Sequence, residues 1–337
     1  MDISHFDFDL PQELIASRPI QPRNISRLLI GSEPVYHDNF NNILNYIEKN
    51  DLLVVNNSKV IPAYFSLKHK SNEIRITFHK KIKESLWKAF IKPGKKINVG
   101  DKISLDDSYF LDVIEKTHEG DFIIKINGEE DIVFRNFGKM PLPPYILKSR
   151  NSDKNDFNDY QTVYASHDGS IAAPTAGLHF NNEIFNKIKD RNQLAEITLH
   201  VGAGTFMPIR DNIENHKMHS EVGFISNEVI ELIKEKKSKK GRIISVGTTS
   251  LRLLESAALS GELSPFSGKT DIFIKPGFKF KVVDMLLTNF HLPKSTLMLL
   301  VSAFSGIDKI QSIYRAAIEN DYRFFSYGDV SLLYRNE

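Results

Sequence analysis

The pattern of apolar and polar positions changes along the chain, and the change is clearest between residues 63 and 127. Alternation with a period of two residues is typical of strands that bury one face. The close spacing of the alternating segments predicts a small β-barrel or sandwich. The segments are YFSLK, EIRITFHK, LWKAFIK, YFLDVIEK and DFIIKIN.

The rest of the chain alternates between predicted strands and predicted helices. Residues 39–49 predict a short amphipathic helix, and residues 51–55 predict a buried strand after it. Ser226 precedes a helical pattern and is a suitable N-cap. Such alternation indicates an α/β sheet covered by helices. Beyond residue 180, the predicted helices cover 182–189, 227–239, 250–259, 295–304 and 309–320, and the predicted strands cover 195–201, 242–246 and a pair around 272–283.

A proline-rich segment separates these two patterns. KMPLPPYI (residues 139–146) has three prolines within four positions, which predicts a stiff extended connector. The polar residues 148–158 predict an exposed loop after it. We therefore expect a helix-covered mixed-sheet α/β domain formed by residues 1–61 and 147–337, with a small β-barrel domain inserted at residues 62–146.

The composition narrows the class of protein. The 337 residues are 41% hydrophobic and 26% charged, as in average globular proteins, which excludes a disordered or collagen-like chain. No apolar run reaches the roughly 18–20 residues that cross a bilayer, and no signal peptide is visible, so we expect a cytoplasmic protein without a membrane partner. The absence of cysteine excludes disulfides, thiolate metal sites and thiol nucleophiles.

The net charge of +2 is far from the strong basicity expected of a dedicated nucleic-acid binder. Any contact with RNA must therefore come from local basic runs. Three such runs are HKKIK (79–83), KPGKK (92–96) and KEKKSKKGR (234–242). Each is also typical of an ordinary solvated surface, so the sequence leaves both interpretations open.

Three polar turns follow predicted strands of the α/β region. Gly202 and Gly204 come after the first strand and would let a ligand approach the backbone closely, although a plain tight turn explains them as well. The second turn, VGTTS (246–250), leads into a helix that carries Arg252 and Glu255. The third is TNFHLP (288–293). Because ligands bind outside the carboxyl ends of strands in such sheets, the three turns together predict a ligand site.

Five of the eleven histidines lie between residues 179 and 291, namely His179, His200, His216, His219 and His291. Histidines near glycine and hydroxyl residues favour acid–base chemistry or ligand contact over a purely structural role. His216 and His219 with Glu221 could bind a metal, but their spacing is not that of an HExxH site, so we expect no metal. The chain contains no GxSxG nucleophile elbow and no P-loop, which disfavours hydrolase and NTPase functions.

Long motifs of the chain resemble one family, the S-adenosylmethionine:tRNA ribosyltransferase-isomerases of queuosine biosynthesis. The resemblance implies transfer and isomerisation of the ribosyl moiety of S-adenosylmethionine (AdoMet) onto the 7-aminomethyl-7-deazaguanine base of tRNA. The products would be epoxyqueuosine-tRNA, adenine and methionine. The family fold is an α/β domain with an inserted β-barrel. The motifs, spread over nearly the full length, are FDLPQELIASRP, VVNNSKVIPA, KMPLPPYI, YQTVYA, AAPTAGLHF, LHVGAGTF, HKMHSE, VGTTSLRLLES, TNFHLP and FFSYGD.

The resemblance also implies candidate site residues. We expect acid–base catalysts among His179, His200, His219, Glu221 and His291. We expect substrate contacts from Thr175, Gly177, Gly202, Gly204, Thr205, Thr248, Thr249, Arg252, Glu255 and Asn289. Gly202, Gly204 and Thr205 would shape the nucleoside pocket, and Thr248, Thr249 and Arg252 would hold the methionine carboxylate.

The partners implied are AdoMet as co-substrate and a tRNA that carries the deazaguanine base, with no further cofactor and a monomeric enzyme. Two alternatives remain at this point. The GAG sequence after a strand fits an AdoMet-dependent RNA methyltransferase, although the rest of that glycine fingerprint is missing. The basic runs fit a noncatalytic RNA-binding module.

Overall fold

The computed structural model describes residues 2–202, 213–214, 216 and 218–336. The chain divides into two compact units. The first comprises Met1–Lys59, Gln161–His167 and Ala173–Glu337, and the second comprises Val60–Tyr160 and Asp168–Ala172. That residues 62–146 form an inserted domain stays a prediction.

The strands and α-helices are numbered along the chain. The strands are β1 (Arg27–Ile30), β2 (Tyr36–Asn39), β3 (Leu52–Asn56), β4 (Ser58–Val60), β5 (Tyr64–His69), β6 (Asn72–Lys83), β7 (Leu86–Lys92), β8 (Lys102–Ser104), β9 (Phe110–Lys116), β10 (Phe122–Asn127), β11 (His167–Ser170), β12 (Leu194–His200), β13 (Glu221–Ile225), β14 (Ile243–Val246), β15 (Phe266–Thr270), β16 (Met285–Asn289) and β17 (Val330–Tyr334). The helices are α1 (Glu130–Phe137), α2 (Pro144–Ser149), α3 (Asp156–Asp159), α4 (Asn182–Asp190), α5 (Asn227–Ser238), α6 (Gly247–Ala257), α7 (Thr296–Ser305) and α8 (Ile307–Glu319).

The first unit is built on one large mixed sheet. Its strand order is β15-β13-β12-β3-β14-β16-β17-β1-β2. The neighbours β12, β3, β14 and β16 run parallel, and β13, β15 and β17 add to them in antiparallel pairs. The carboxyl ends of the four parallel strands therefore meet at one edge of the sheet.

Both faces of this sheet are covered. Along β3, Leu52 and Val54 belong to the core beneath α5, α6, α7 and α8, whereas Leu53 and Val55 belong to the core beneath α4 and the 3-10 helix Phe40–Tyr46. Successive side chains of a strand point to opposite faces, which is why a continuous apolar run is needed here. The predicted helix-covered mixed sheet is confirmed.

Several details of the first unit differ from prediction. Residues 40–46 form a 3-10 helix and not an α-helix. The strand pair predicted around residues 272–283 is wrong. Gly277 has a φ of +98°, and the backbone N–H groups of Lys281, Val282 and Val283 donate to Glu255 in place of a neighbouring strand. The predicted N-cap is confirmed, since the Ser226 hydroxyl accepts a hydrogen bond from Val229 N.

The second unit contains a six-stranded antiparallel, barrel-like sheet with the order β5-β6-β7-β10-β9-β8. Residues 74, 76 and 78 of β6 and 87, 89 and 91 of β7 are buried, as the period of two predicted. Phe134 of α1 packs edge-on against Phe65, Phe78 and Trp87. The five predicted strands are confirmed, and the short β8 was missed because three residues are too few to show a period.

The segment after the barrel is less extended than predicted. Pro144 opens α2, because proline has no N–H to lose in the first turn of a helix. Within the predicted exposed loop, Asp156 is buried and pairs with Arg150, with an Nη2–Oδ1 distance of 2.5 Å. No helix in the described part of the chain is long and apolar enough to cross a membrane.

Candidate active site

His179 lies at the end of a short 3-10 helix, Thr175–His179, and is buried. Its Nε2 is 3.2 Å from Asn289 Nδ2, at the carboxyl end of β16, and its Nδ1 is 2.7 Å from Ser26 Oγ. Because the Asn289 amide donates to Nε2, the ring proton lies on Nδ1 and is donated to Ser26. Burial, together with the guanidinium groups of Arg323 and Arg23, lowers the pKa of His179 to about 3. The imidazole is therefore neutral at physiological pH, which is the form that accepts a proton.

His291 is a second buried, neutral imidazole after the same strand. Its Nε2 lies 3.0 Å from Thr288 Oγ1, and its backbone N–H donates to the Tyr314 hydroxyl at 2.9 Å. Burial lowers its pKa to about 3. His179 and His291 are thus both neutral at physiological pH, but their hydrogen-bond partners differ.

A buried ion pair lies at the other side of the same edge. Arg252, on α6, places Nη1 2.5 Å from Glu221 Oε2 at the start of β13. Glu221 Oε1 accepts a hydrogen bond of 3.0 Å from the backbone N–H of Gly202, which follows β12. Both partners of the ion pair are almost completely buried. A charged pair taken out of water in this way requires well-formed hydrogen bonds, and here β12, β13 and α6 supply them.

Three buried polar atoms near these groups lack a hydrogen-bond partner among the described residues. They are Nη2 of Arg252, Oγ1 of Thr249 and Oδ1 of Asn289. Leaving a buried donor or acceptor unpaired costs about 1–3 kcal/mol, so three of them at one sheet edge favour a polar ligand that would satisfy them. Thr249 and Arg252 are one helical turn apart on α6 and therefore share a face of it.

Other predicted residues have visible structural roles. A side chain at Gly177 would meet the Tyr164 hydroxyl at 1.9 Å, so only glycine fits there. Glu255 is buried, and its two oxygens accept the three backbone N–H groups of residues 281–283. Gly247 opens α6 with a φ of +86°. Thr248 is buried in the first turn of that helix, and Thr175 is half-buried.

The remaining predicted residues are not drawn together with His179. His219 is exposed, and His200 is half-buried at the end of β12. No described atom lies within 4 Å of the position that a side chain on Gly202 would occupy. Gly204 and Thr205 lie outside the described residues. Within the described ranges, no three His, Asp or Glu side chains converge as metal ligands.

The structure adds residues that sequence reasoning missed. Ser26, which holds His179, comes from the segment before β1, far away in sequence. A small cleft beside His179 is lined by Arg23, Tyr327 and other residues of the same two segments, 19–23 and 326–328. The segment 326–328 lies within FFSYGD, one of the motifs that resemble the family. Nothing in the sequence of that motif predicts that it lies beside His179.

The fold defines the class of this protein as α/β, and the buried polar atoms at the carboxyl ends of its parallel strands favour a small-molecule site there. Residues 3–333 match the family described as queuosine biosynthesis protein. Two similar curated proteins are the S-adenosylmethionine:tRNA ribosyltransferase-isomerases of Rickettsia bellii, 49% identical over 99% of each chain, and of Thermosipho melanesiensis, 44% identical over 99% of this chain and 100% of the relative.

A solved structure is similar as well. The crystal structure of the S-adenosylmethionine tRNA ribosyltransferase from Thermotoga maritima shares 34% identity, covers 97% of this chain and 99% of its own, and superposes with a TM-score of 0.55. The chain therefore belongs to the queuosine biosynthesis protein family, and the resemblance seen in the motifs is confirmed.

Proposed function

We propose that this protein transfers the ribosyl moiety of AdoMet to the 7-aminomethyl-7-deazaguanine base of tRNA and isomerises it, which gives epoxyqueuosine-tRNA, adenine and methionine. Family membership over nearly the full chain, with relatives named for this reaction, supports the proposal. The structural observation that supports it is that buried polar atoms of Arg252, Thr249 and Asn289 have no hydrogen-bond partner within the described part of the chain. A zwitterionic nucleoside such as AdoMet offers both donors and acceptors for them.

The first chemical step assigned to the site is removal of a proton from C5′ of AdoMet. The adjacent sulfonium makes this C–H bond acidic, and the electron pair left on carbon is stabilised by sulfur, so a positioned neutral base can accept the proton. His179 is the base that the observations favour. It lines a small cleft, and the carboxamide against its Nε2 has an oxygen without a hydrogen-bond partner among the described residues. For Nε2 to accept the proton, AdoMet must take over the hydrogen bond that the Asn289 amide donates to it.

The other acid–base candidates support this ranking. Glu221 is held by Arg252 and by Gly202 N, and His219 is exposed. Nε2 of His291 lies 3.0 Å from the Thr288 hydroxyl. His200 remains a candidate near the nucleoside, at the end of β12.

The methionine carboxylate of AdoMet is assigned to the start of α6. Thr248 and Thr249 lie in the first turn of this eleven-residue helix, where backbone N–H groups and the helix dipole favour an anion. Arg252 Nη2 supplies a charge-assisted hydrogen bond on the same helical face. Gly202, Gly204 and Thr205 are assigned to the nucleoside, while Thr175, Gly177 and Glu255 are assigned to keeping these elements in place.

One assay separates the proposed reaction from its alternatives. The protein is incubated with AdoMet and tRNA bearing the deazaguanine base, and free adenine and S-adenosylhomocysteine are measured. The proposal predicts adenine in a one-to-one ratio with modified tRNA. S-adenosylhomocysteine would indicate a methyltransferase, and the absence of both would indicate a noncatalytic RNA-binding protein.

The proposed reaction requires no metal or redox cofactor, because no electron is transferred and the sulfonium itself activates C5′. We expect adenine release to survive exhaustive treatment with EDTA. Loss of activity that one divalent ion restores would contradict this expectation. A monomeric state and a cytoplasmic location also stay predictions, and sedimentation of the purified protein tests the first.

A further inference from the structure

Two cations lie directly opposite each other on the outer face of the second unit. Arg75 of β6 is paired in register with Lys92 of β7. Their strand neighbours Ile74, Ile76 and Ile91 are buried on the inner face, so Arg75 and Lys92 project outward, and both are exposed. Like charges directly opposite each other on a sheet are destabilising. A functional role would explain why this unfavourable pair is present.

The same two strands contain a like-charged pair that is compensated. Lys80 lies opposite Lys88, and Lys88 Nζ is 3.0 Å from Glu119 Oε2 and 3.6 Å from Asp121 Oδ2. In the described part of the chain, neither Arg75 nor Lys92 forms an ion pair with a carboxylate. The positive charge at this end of the ladder is therefore not compensated by a carboxylate among the described residues.

The positive charge continues into the turn after β7. Lys95 and Lys96 lie in the 3-10 turn Gly94–Lys96, are exposed, and form no ion pair within the described residues. We name Arg75, Lys92, Lys95 and Lys96 the basic face.

The basic run at 234–242 is different, although it contains more cations. Lys234 pairs with Glu231 at 3.0 Å within α5, and Lys239, which follows α5, pairs with Glu235 at 2.6 Å. Arg242 pairs with the buried Asp51 at 2.5 Å. Three of the six cations of this run are therefore paired with carboxylates of the protein.

Aromatic rings lie beside the basic face. Tyr64 of β5, Thr77 of β6 and Phe90 of β7 form the next row across the outer surface. Phe90 is half-buried, and the His79 ring stacks on it at a centroid distance of 4.2 Å. Burial raises the pKa of Tyr64 and the charge of Arg75 opposes that shift, which places the guanidinium near the phenol. Cations beside partly exposed aromatic rings are typical of surfaces that bind unpaired nucleotides.

We propose that the basic face binds phosphates of the tRNA substrate, with Tyr64 and Phe90 positioned to contact an unstacked nucleotide. The identity of the RNA rests on the proposed function. The charge of the face favours RNA over an acidic protein because phosphates repeat at regular spacing, which suits a row of separate cations.

The test measures tRNA binding by fluorescence anisotropy across salt concentrations, with the double variant R75Q/K92Q of the full chain. Each lost phosphate contact lowers the slope of log K against log salt by about 0.7–0.9, so the double variant should flatten it by about 1.5. The matched control is K234Q/K239Q, which makes the same change in net charge and should leave the slope unchanged. The charge-conserving variant R75K/K92R should retain most of the slope.

An unchanged slope in R75Q/K92Q overturns the proposal, and so does an equal flattening in the control, which would be an effect of net charge alone. Both substitutions are on exposed side chains, and circular dichroism melting should show no loss of stability because a repulsion is removed. Adenine release by the unaltered protein is measured separately. If no adenine is released while the salt slopes differ as expected, the proposed reaction is wrong and the proposed RNA-binding surface is supported. If adenine is released while the slope of R75Q/K92Q is unchanged, only the proposed RNA-binding surface is wrong.

Discussion

The two sides of the candidate active site are both buried, yet they carry charge in opposite ways. On the β16 side, His179 is neutral, with a pKa lowered to about 3 by burial, and it is held by Ser26 and Asn289. On the β12–β13 side, Arg252 and Glu221 form an ion pair closed by the amide of Gly202. Burial keeps the His179 imidazole neutral on the β16 side. On the β12–β13 side, burial requires that the charges of Arg252 and Glu221 be paired. Under the proposed function, we assign proton transfer to the first side and anion binding to the second.

The largest expected effect comes from removing the neutral base. His179→Ala should lower kcat for adenine release by about 10²–10⁴-fold, since general-base catalysis contributes that much, while the Kd for AdoMet stays near that of the unaltered protein. The matched control is His291→Ala, which removes an equally buried imidazole with different neighbours and should cost much less. If His291→Ala abolishes activity and His179→Ala does not, the assignment of the base is wrong.

The second prediction concerns the ion pair. Arg252→Gln should reduce the free energy of unfolding by about 3–5 kcal/mol, because it leaves the buried carboxylate of Glu221 without compensation. Urea unfolding measures the loss. Adding Glu221→Gln to Arg252→Gln should recover part of it, because the uncompensated charge is then gone. A single variant as stable as the unaltered protein would show that water or another cation replaces Arg252.

The third prediction tests the packing that positions His179. Gly177→Ala forces a methyl group against the Tyr164 hydroxyl, where the available distance is 1.9 Å, and overpacking of this kind costs about 1–3 kcal/mol. Tyr164→Phe alone should be nearly neutral, because that hydroxyl has no hydrogen-bond partner among the described residues. Combined with Gly177→Ala, it should restore part of the stability. The melting temperatures of the three variants test this prediction, and a Gly177→Ala variant as stable as the unaltered protein would contradict it.

The fourth prediction is the pH dependence of stability. The folded pKa of both His179 and His291 is about 3, against an ordinary value of 6.5, so the unfolded chain binds more protons between those values. Stability should therefore be unaffected by these groups above pH 6.5 and fall as the pH drops toward 3, by up to about 1.4 kcal/mol per pH unit for each histidine. His291→Asn should reduce this slope by up to about 1.4 kcal/mol per pH unit, which corresponds to one proton. An identical slope in that variant would mean that His291 is protonated in the folded protein.

Much of the fold could be predicted because the period of the apolar positions indicates which segments form strands. The alternation in residues 63–127 gave the barrel strands, and the run at 51–55 gave β3, since each follows from how many faces a strand buries. The pair around 272–283 could not be predicted by this means. Its apolar residues fit strands, but their backbone N–H groups bind Glu255, a carboxylate distant in sequence.

The candidate site was predictable only where its residues follow strands directly. Asn289 and Arg252 stand in or after such turns, and the motifs included them. Ser26 carries no signal of its own, since its hydroxyl meets His179 across a separation of 153 residues. The same holds for Arg75, whose proposed role in binding RNA depends on its register with Lys92 and not on its neighbours in sequence.

We expect that a neutral base in this site removes a proton from C5′ of AdoMet. The direct measurement uses AdoMet carrying two deuterium atoms at C5′, with mass spectrometry of the nucleoside released from the modified tRNA. Deprotonation predicts that the product keeps no more than one deuterium at that carbon, and that His179→Ala slows the loss together with adenine release. Retention of both deuterium atoms in the product would contradict deprotonation at C5′ and the role assigned to His179.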